Sequence, residues 1–90
     1  CNPKHQNHRR LMHFIKEIPH DSMRISLFEW NSKYILKFET PELEQSFKFS
    51  VMDFSDQKEI EELATSSSFQ NTIIQNFKNM YEAMSQSLGN

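Results

Sequence analysis

Two runs rich in β-branched and aromatic residues, 23–30 and 33–39, are separated only by Asn31-Ser32. A two-residue connection between such runs is the strongest short-range sign of a β-hairpin. It also fixes the pairing, because strand side chains alternate between faces with a period of two. Trp30 faces Lys33, and stepping outward puts Phe28 opposite Ile35, Ser26 opposite Lys37 and Arg24 opposite Glu39. The other face pairs Glu29 with Tyr34, Leu27 with Leu36 and Ile25 with Phe38. A slip of one residue would mix the two sets, so Ile25, Leu27, Tyr34, Leu36 and Phe38 are read as the core face. Asn tolerates the positive φ of a type I′ turn, and Ser does so less well than Gly, which implies mild strain at Ser32.

The flanking segments extend the sheet. Leu43, Gln45, Phe47, Phe49 and Val51 alternate with Glu44, Ser46, Lys48 and Ser50, the pattern of a half-buried strand. Thr40-Pro41-Glu42 turns the chain before it, by a loop of two or four residues. Residues 11–18 suit either a helix, through Leu11, Phe14, Ile15 and Ile18, or a strand with Met12, Phe14 and Ile18 on one face. The strand is preferred, because Pro19-His20-Asp21-Ser22 makes a good turn into the next strand. With Ile18 opposite Met23, Glu17 would face Arg24, placing Arg24 between Glu17 and Glu39 in an exposed ion-pair cluster.

Beyond Asp53 the period changes to that of helices. Ser55 or Asp56 can cap a short helix, with Glu59 placed for a capping box and Ile60, Leu63 and Ala64 as its apolar stripe. Ser67 or Ser68 caps a second helix carrying Phe69, Ile73, Phe77, Met80, Met84 and Leu88 at alternating spacings of four and three. Gly89 is its stop. At about 1.5 Å per residue this helix is roughly 30 Å long, longer than a short strand, so it crosses the sheet obliquely or overhangs it.

The fold class expected is α+β, a three- or four-stranded antiparallel meander followed by two C-terminal helices packed on one face. The strands span about 12–18, 23–30, 33–39 and 43–51 and the helices about 56–64 and 68–88, in one domain of residues 11–90 behind a flexible basic tail of residues 1–10. Ninety residues with eight phenylalanines suffice for one real core.

Composition narrows function mainly by exclusion. Cys1 is the only cysteine, which excludes an internal disulfide and a cysteine-based zinc site. No apolar run approaches the length of a membrane span. Residues 1–20 set four bases against Glu17, and the remaining seventy set six bases against eleven acids. The folded part is thus acidic, which disfavours a surface driven by phosphate neutralisation. His5 and His8 have a chelating spacing but sit in the tail without a carboxylate nearby, so no metal and no cofactor is expected. With Gly89 as the only glycine, no glycine-rich phosphate cradle can form. The serines fall in turns, caps and outward strand positions, and Glu59, Glu61 and Glu62 read as a solvated helix face. An enzyme is not expected. A chain opening at Cys1 fits a processed bacterial lipoprotein, and Met12 fits a native start. A cytoplasmic location is preferred.

The block Ile25-Ser-Leu-Phe-Glu-Trp-Asn-Ser-Lys-Tyr-Ile-Leu-Lys-Phe-Glu39, followed by Leu43-Glu-Gln-Ser-Phe-Lys-Phe49, resembles a family of short uncharacterised bacterial proteins of Bacteroidetes type. The resemblance covers roughly Met12 to Leu88. Ser32 departs from the Asn-Gly expected at such a turn. The resemblance implies a bacterial, cytoplasmic protein and brings no catalytic residues with it.

What remains is a surface. The face opposite the core carries Phe28, Trp30 and Ile35 with Lys33, Lys37 and Lys48. It is covered by the first helix or the N-terminal segment, or it contacts a protein, or its aromatics stack single-stranded nucleic acid while the lysines hold phosphates. Sheet-binding modules such as Whirly-like and PUR-type domains offer a fold-level analogy for the last. A second candidate surface is the long helix, through Ile74, Met80, Tyr81 and Met84. The reading preferred is a non-catalytic protein-binding or assembly module, homodimeric, with single-strand nucleic-acid binding as the alternative.

Overall fold

Asn31 and Ser32 both take the left-handed backbone, with φ of 56° and 62°, the signature of a type I′ turn. In the computed structural model, which describes residues 12–88, the strands flanking this turn are β2 (Arg24–Trp30) and β3 (Lys33–Glu39). Their register is the one the two-residue loop dictates, from Trp30 opposite Lys33 out to Arg24 opposite Glu39. With β1 (His13–Ile18) and β4 (Glu44–Ser50) they form an antiparallel sheet in the order β1-β2-β3-β4. Two helices come next, α1 (Gln57–Thr65) and α2 (Ser67–Ser87). The chain is an α+β meander with both helices on one face. The expected tail, the histidines His5 and His8, and the helix stop expected at Gly89 lie outside the described residues.

Residues 13–18 are a strand, but their phase departs from simple alternation. Phe14 pairs with Phe28 and Lys16 with Leu27, leaving Ile15 as the extra residue of a β-bulge. The bulge reverses the facing of the residues after it. Phe14 therefore shares the outer face with Phe28, while Ile18 is buried with the core, so the two do not share a face as alternation predicts. The first turn is also longer than expected. Ile18 pairs with Ile25 and Glu17 with Ser26, not with Met23 and Arg24. Met23 belongs to the turn and drops its side chain into the core, which takes it out of the ladder. His20 Nδ1 accepts the Ser22 amide at 3.0 Å within that turn. Arg24 Nε still lies 3.7 Å from Glu17 Oε2, now as a diagonal neighbour.

Between β3 and β4 the ladder ends at Glu39 opposite Glu44. The Thr40 amide donates to the Leu43 carbonyl at 2.9 Å, but the Leu43 amide donates to Thr40 Oγ1 rather than to a carbonyl. After β4 a short 3-10 turn, Val51–Asp53, is capped by Ser50 and delivers Phe54 against Tyr34 and Phe49. Asp56 caps α1, accepting the Glu59 amide, while Glu59 reaches back to the Ser55 amide at 2.8 Å. Ser66, one residue before the expected cap, caps α2 by accepting the Phe69 amide.

The core lies between the sheet and the helices. Ile25, Leu27, Leu36 and Phe38 meet Ile60, Ala64, Ile73 and Phe77. Phe38, Phe47 and Phe69 form a triangle of edge-to-face rings with centroids 5.6–6.0 Å apart, joining β3, β4 and α2. Two polar links fix the long helix. The buried Gln45 donates from Nε2 to the Ile73 carbonyl at 2.9 Å and accepts from Asn76 Nδ2 at 3.1 Å. Near the far end, the Tyr81 hydroxyl lies 2.8 Å from both Thr40 Oγ1 and Glu42 Oε1. At the sheet edge, Lys16 Nζ sits 3.1 Å from Glu61 Oε1. A hydrogen bond from Gln57, then the lysine, hold the Glu61 carboxyl below its ordinary range. Among the described residues, no helix is long and apolar enough to cross a membrane.

Ser32→Gly is expected to stabilise the fold by about 0.5–1 kcal/mol, since glycine takes positive φ without a Cβ clash. Denaturant unfolding checks this, and an unchanged or lower midpoint would contradict the strain assigned to the turn. Gln45→Ala is expected to cost about 1–2 kcal/mol, because it strands Asn76 and the buried end of α2. Hydrogen exchange would show the loss concentrated in α2 around Ile73.

Candidate interaction surface

Because both helices pack on the face of Leu27 and Leu36, α1 does not cover the opposite face, contrary to one expectation, and the other expected cover, the N-terminal segment before Met12, lies outside the described residues. The apolar stripe of Ile60 and Ala64 enters the core on the helical side instead. The sheet register sorts the outer face into four rows running across the strands. Trp30, Lys33 and Ser50 form the row at the hairpin tip. Phe14, Phe28, Ile35 and Lys48 form the second. Glu17, Ser26, Lys37 and Ser46 form the third, and Arg24, Glu39 and Glu44 the last.

All six residues expected on this face are there, and they are neighbours. Phe14 is 52% exposed and Trp30 36%, while Ile35, on β3 beyond Phe28, is only 5% exposed. Phe14 thus projects from the face, whereas Ile35 is covered by its neighbours. The rings of Phe14 and Phe28 meet edge to face at 5.6 Å. Lys37 folds its ammonium over the Phe28 ring, 5.5 Å from the centroid, a contact between cation and aromatic face. Lys33 and Lys48 are exposed beside it. Phe14 was not among the expected residues, and the bulge at Ile15 places it here; Glu17 stands beside Arg24 as the expected ion-pair cluster has it, one register step away.

The face is electrically divided along the strands. Lys33, Lys48 and Lys37 lie in the first three rows, whereas Glu39 and Glu44 close the last and Glu17 flanks the third on β1. At that acidic end a depression of about 580 Å³ opens between the two turns, lined by Glu17, Arg24 and Glu39 among others.

On the long helix, Ile74 and Met80 are half-buried and pack against the core, and Met84 is half-buried one turn further on. Tyr81 is partly exposed but spends its hydroxyl on the β3–β4 loop. Leu88 is 78% exposed where the helix overhangs the sheet. The polar residues of the helix starts have local tasks, since Asp56, Glu59 and Ser66 all hold backbone amides. Among the described residues, no group of three or more His, Cys, Asp or Glu side chains is placed to hold a metal ion. Burial first, then Glu29 and Asp56, push the Tyr34 hydroxyl above its ordinary pKa, so it stays neutral in the core face.

Comparison with protein-family models, with curated proteins and with solved structures returns no match. The resemblance of the hairpin block to a bacterial family therefore rests on those residues alone.

If the outer face is a surface and not a second core, Phe14→Ser will change stability by less than about 1 kcal/mol, whereas Leu36→Ala will cost about 2–5 kcal/mol. Equal losses in chemical denaturation would place Phe14 in a packed interior.

Proposed function

We propose that this protein is a small non-catalytic module that docks a protein surface on the open face of its sheet. The observation that carries the reading is the exposed Phe14 standing against the Phe28 ring, among charges of both signs. Aromatic anchors with a polar rim are what protein contacts use.

Two features favour protein over single-stranded nucleic acid. Lys37 occupies the ring face of Phe28 on which a base would stack, and Phe14 meets Phe28 by its edge instead of extending a flat platform. In addition, Glu17, Glu39 and Glu44 share the face with the four bases, so a phosphate chain crossing it would meet repulsion. A bacterial origin and a cytoplasmic location belong to the same proposal and rest on the resemblance of the hairpin block.

The test is a photo-crosslinking benzoylphenylalanine placed at Phe14 and, as a control, at Asn79 on the exposed side of α2. A discrete protein adduct at position 14 that is missing at position 79 is the expected outcome. Equal adducts at both positions would overturn the reading. So would salt-sensitive quenching of Trp30 fluorescence by a single-stranded oligonucleotide.

A further inference from the structure

The geometry points to a second copy of this chain as the occupant of the open face, packed sheet to sheet about a two-fold axis lying along β2. This inference rests on the docking reading above and names its partner. In a two-fold contact each residue on the axis meets itself, and each pair off the axis occurs twice. The outward residues of a strand chosen as axis must therefore tolerate self-contact. Along β3 they are Lys33, Ile35, Lys37 and Glu39, so that axis stacks Lys37 on Lys37 near its middle, with like charges at both ends as well. Along β4 it stacks Lys48 on Lys48 and Glu44 on Glu44. Along β2 they are Trp30, Phe28, Ser26 and, at the far end, Arg24.

An axis along β2 lays β1 of one copy over β3 of the other. The sheet register then gives complementary partners in both flanking strands. Phe14, which projects, lies over the apolar Ile35, which does not, and Glu17 lies over Lys37. Each match forms twice. Lys37 already leans toward the axis, over Phe28. Aligned sheets cross at about 30° because each is twisted, so their corners diverge and the two copies of Arg24 are spread apart beside Glu17. Turning the axis at right angles, along the second row, instead sets Lys33 against Lys37 and loses the match.

The area sets the strength. The three overlapping strands, about 4.8 Å apart with roughly seven residues each at about 3.3 Å, offer a footprint on the order of 10 by 20 Å. That is well below the roughly 800 Å² per partner of a standard stable interface. The dimer is accordingly a weak, reversible one.

Sedimentation equilibrium of the full chain from about 5 to about 500 μM reads the association directly. The expected result is a monomer–dimer equilibrium that weakens at least about tenfold in Glu17→Lys and in Lys37→Glu, and recovers when both reversals are combined. Circular dichroism confirms that each variant is folded. In a Cys1→Ser background, Phe28→Cys lies on the axis and should be linked to its own copy by a short bifunctional maleimide, which spans the roughly 10 Å between packed sheets that a disulfide cannot. A monomer across the whole range overturns the inference, as does a dimer indifferent to both single reversals. The crosslinker at position 14 separates this failure from that of the docking reading. An adduct with a different protein overturns only the second copy as occupant, whereas equal adducts at positions 14 and 79 overturn both.

Discussion

A turn of two left-handed residues between strands of period two leaves the sheet a single phase. Asn31 and Ser32 supply that turn, and the rest of the molecule depends on it. Once Trp30 stands opposite Lys33, Leu27 and Leu36 must share one face and Phe28 and Ile35 the other. The helices then dock against the face of Ile25, Leu27, Leu36 and Phe38, on which no charged side chain comes between them. The Phe38–Phe47–Phe69 triangle forms because β4 inherits the same phase and α2 brings its first apolar residue to meet it.

The two faces solve their polar problems differently. On the helical side, Gln45 enters the interior only because Ile73 and Asn76 meet both ends of its amide. Its amide fits one position of α2 against β4, which apolar packing alone would leave free to slide. On the open side, lysine and glutamate stems lie along the aromatics and keep their charged ends in water. Lys37 shields Phe28 in this way, and only Phe14 projects well clear.

Most of the fold was legible in the sequence, because its strong signals are periodic. The hairpin register, the alternation of β4 and the spacing of Phe69, Ile73 and Phe77 each survive folding unaltered. What was hidden had no local signature. A bulge adds one residue without requiring a special one, so nothing in His13-Phe-Ile-Lys-Glu-Ile18 announces that Ile15 is the extra residue. The candidate face was therefore legible on β2, β3 and β4 and at Glu17, which was set beside Arg24, but Phe14 was missed. The first turn was misread because Met23, apolar enough for a strand, is used as a core plug. Ser66 could not be told from Ser67 or Ser68 as a cap, since the phase of α2 is set by Phe69 packing on Phe38 and Phe47. Phe54 was overlooked because its 3-10 approach carries neither the strand nor the helix period.

The bulge has a second effect, on growth. A regular edge strand is a template, and a molecule able to add a strand at its edge can add another to that one without end. In β1 the ladder is interrupted at Ile15, so its outer row of amides and carbonyls no longer keeps even step, and an incoming strand loses its register partway along. The same irregularity turns Phe14 out of line with Ile18 and onto the flat of the sheet. One inserted residue thus makes lateral polymerisation difficult while turning Phe14 outward onto the flat of the sheet.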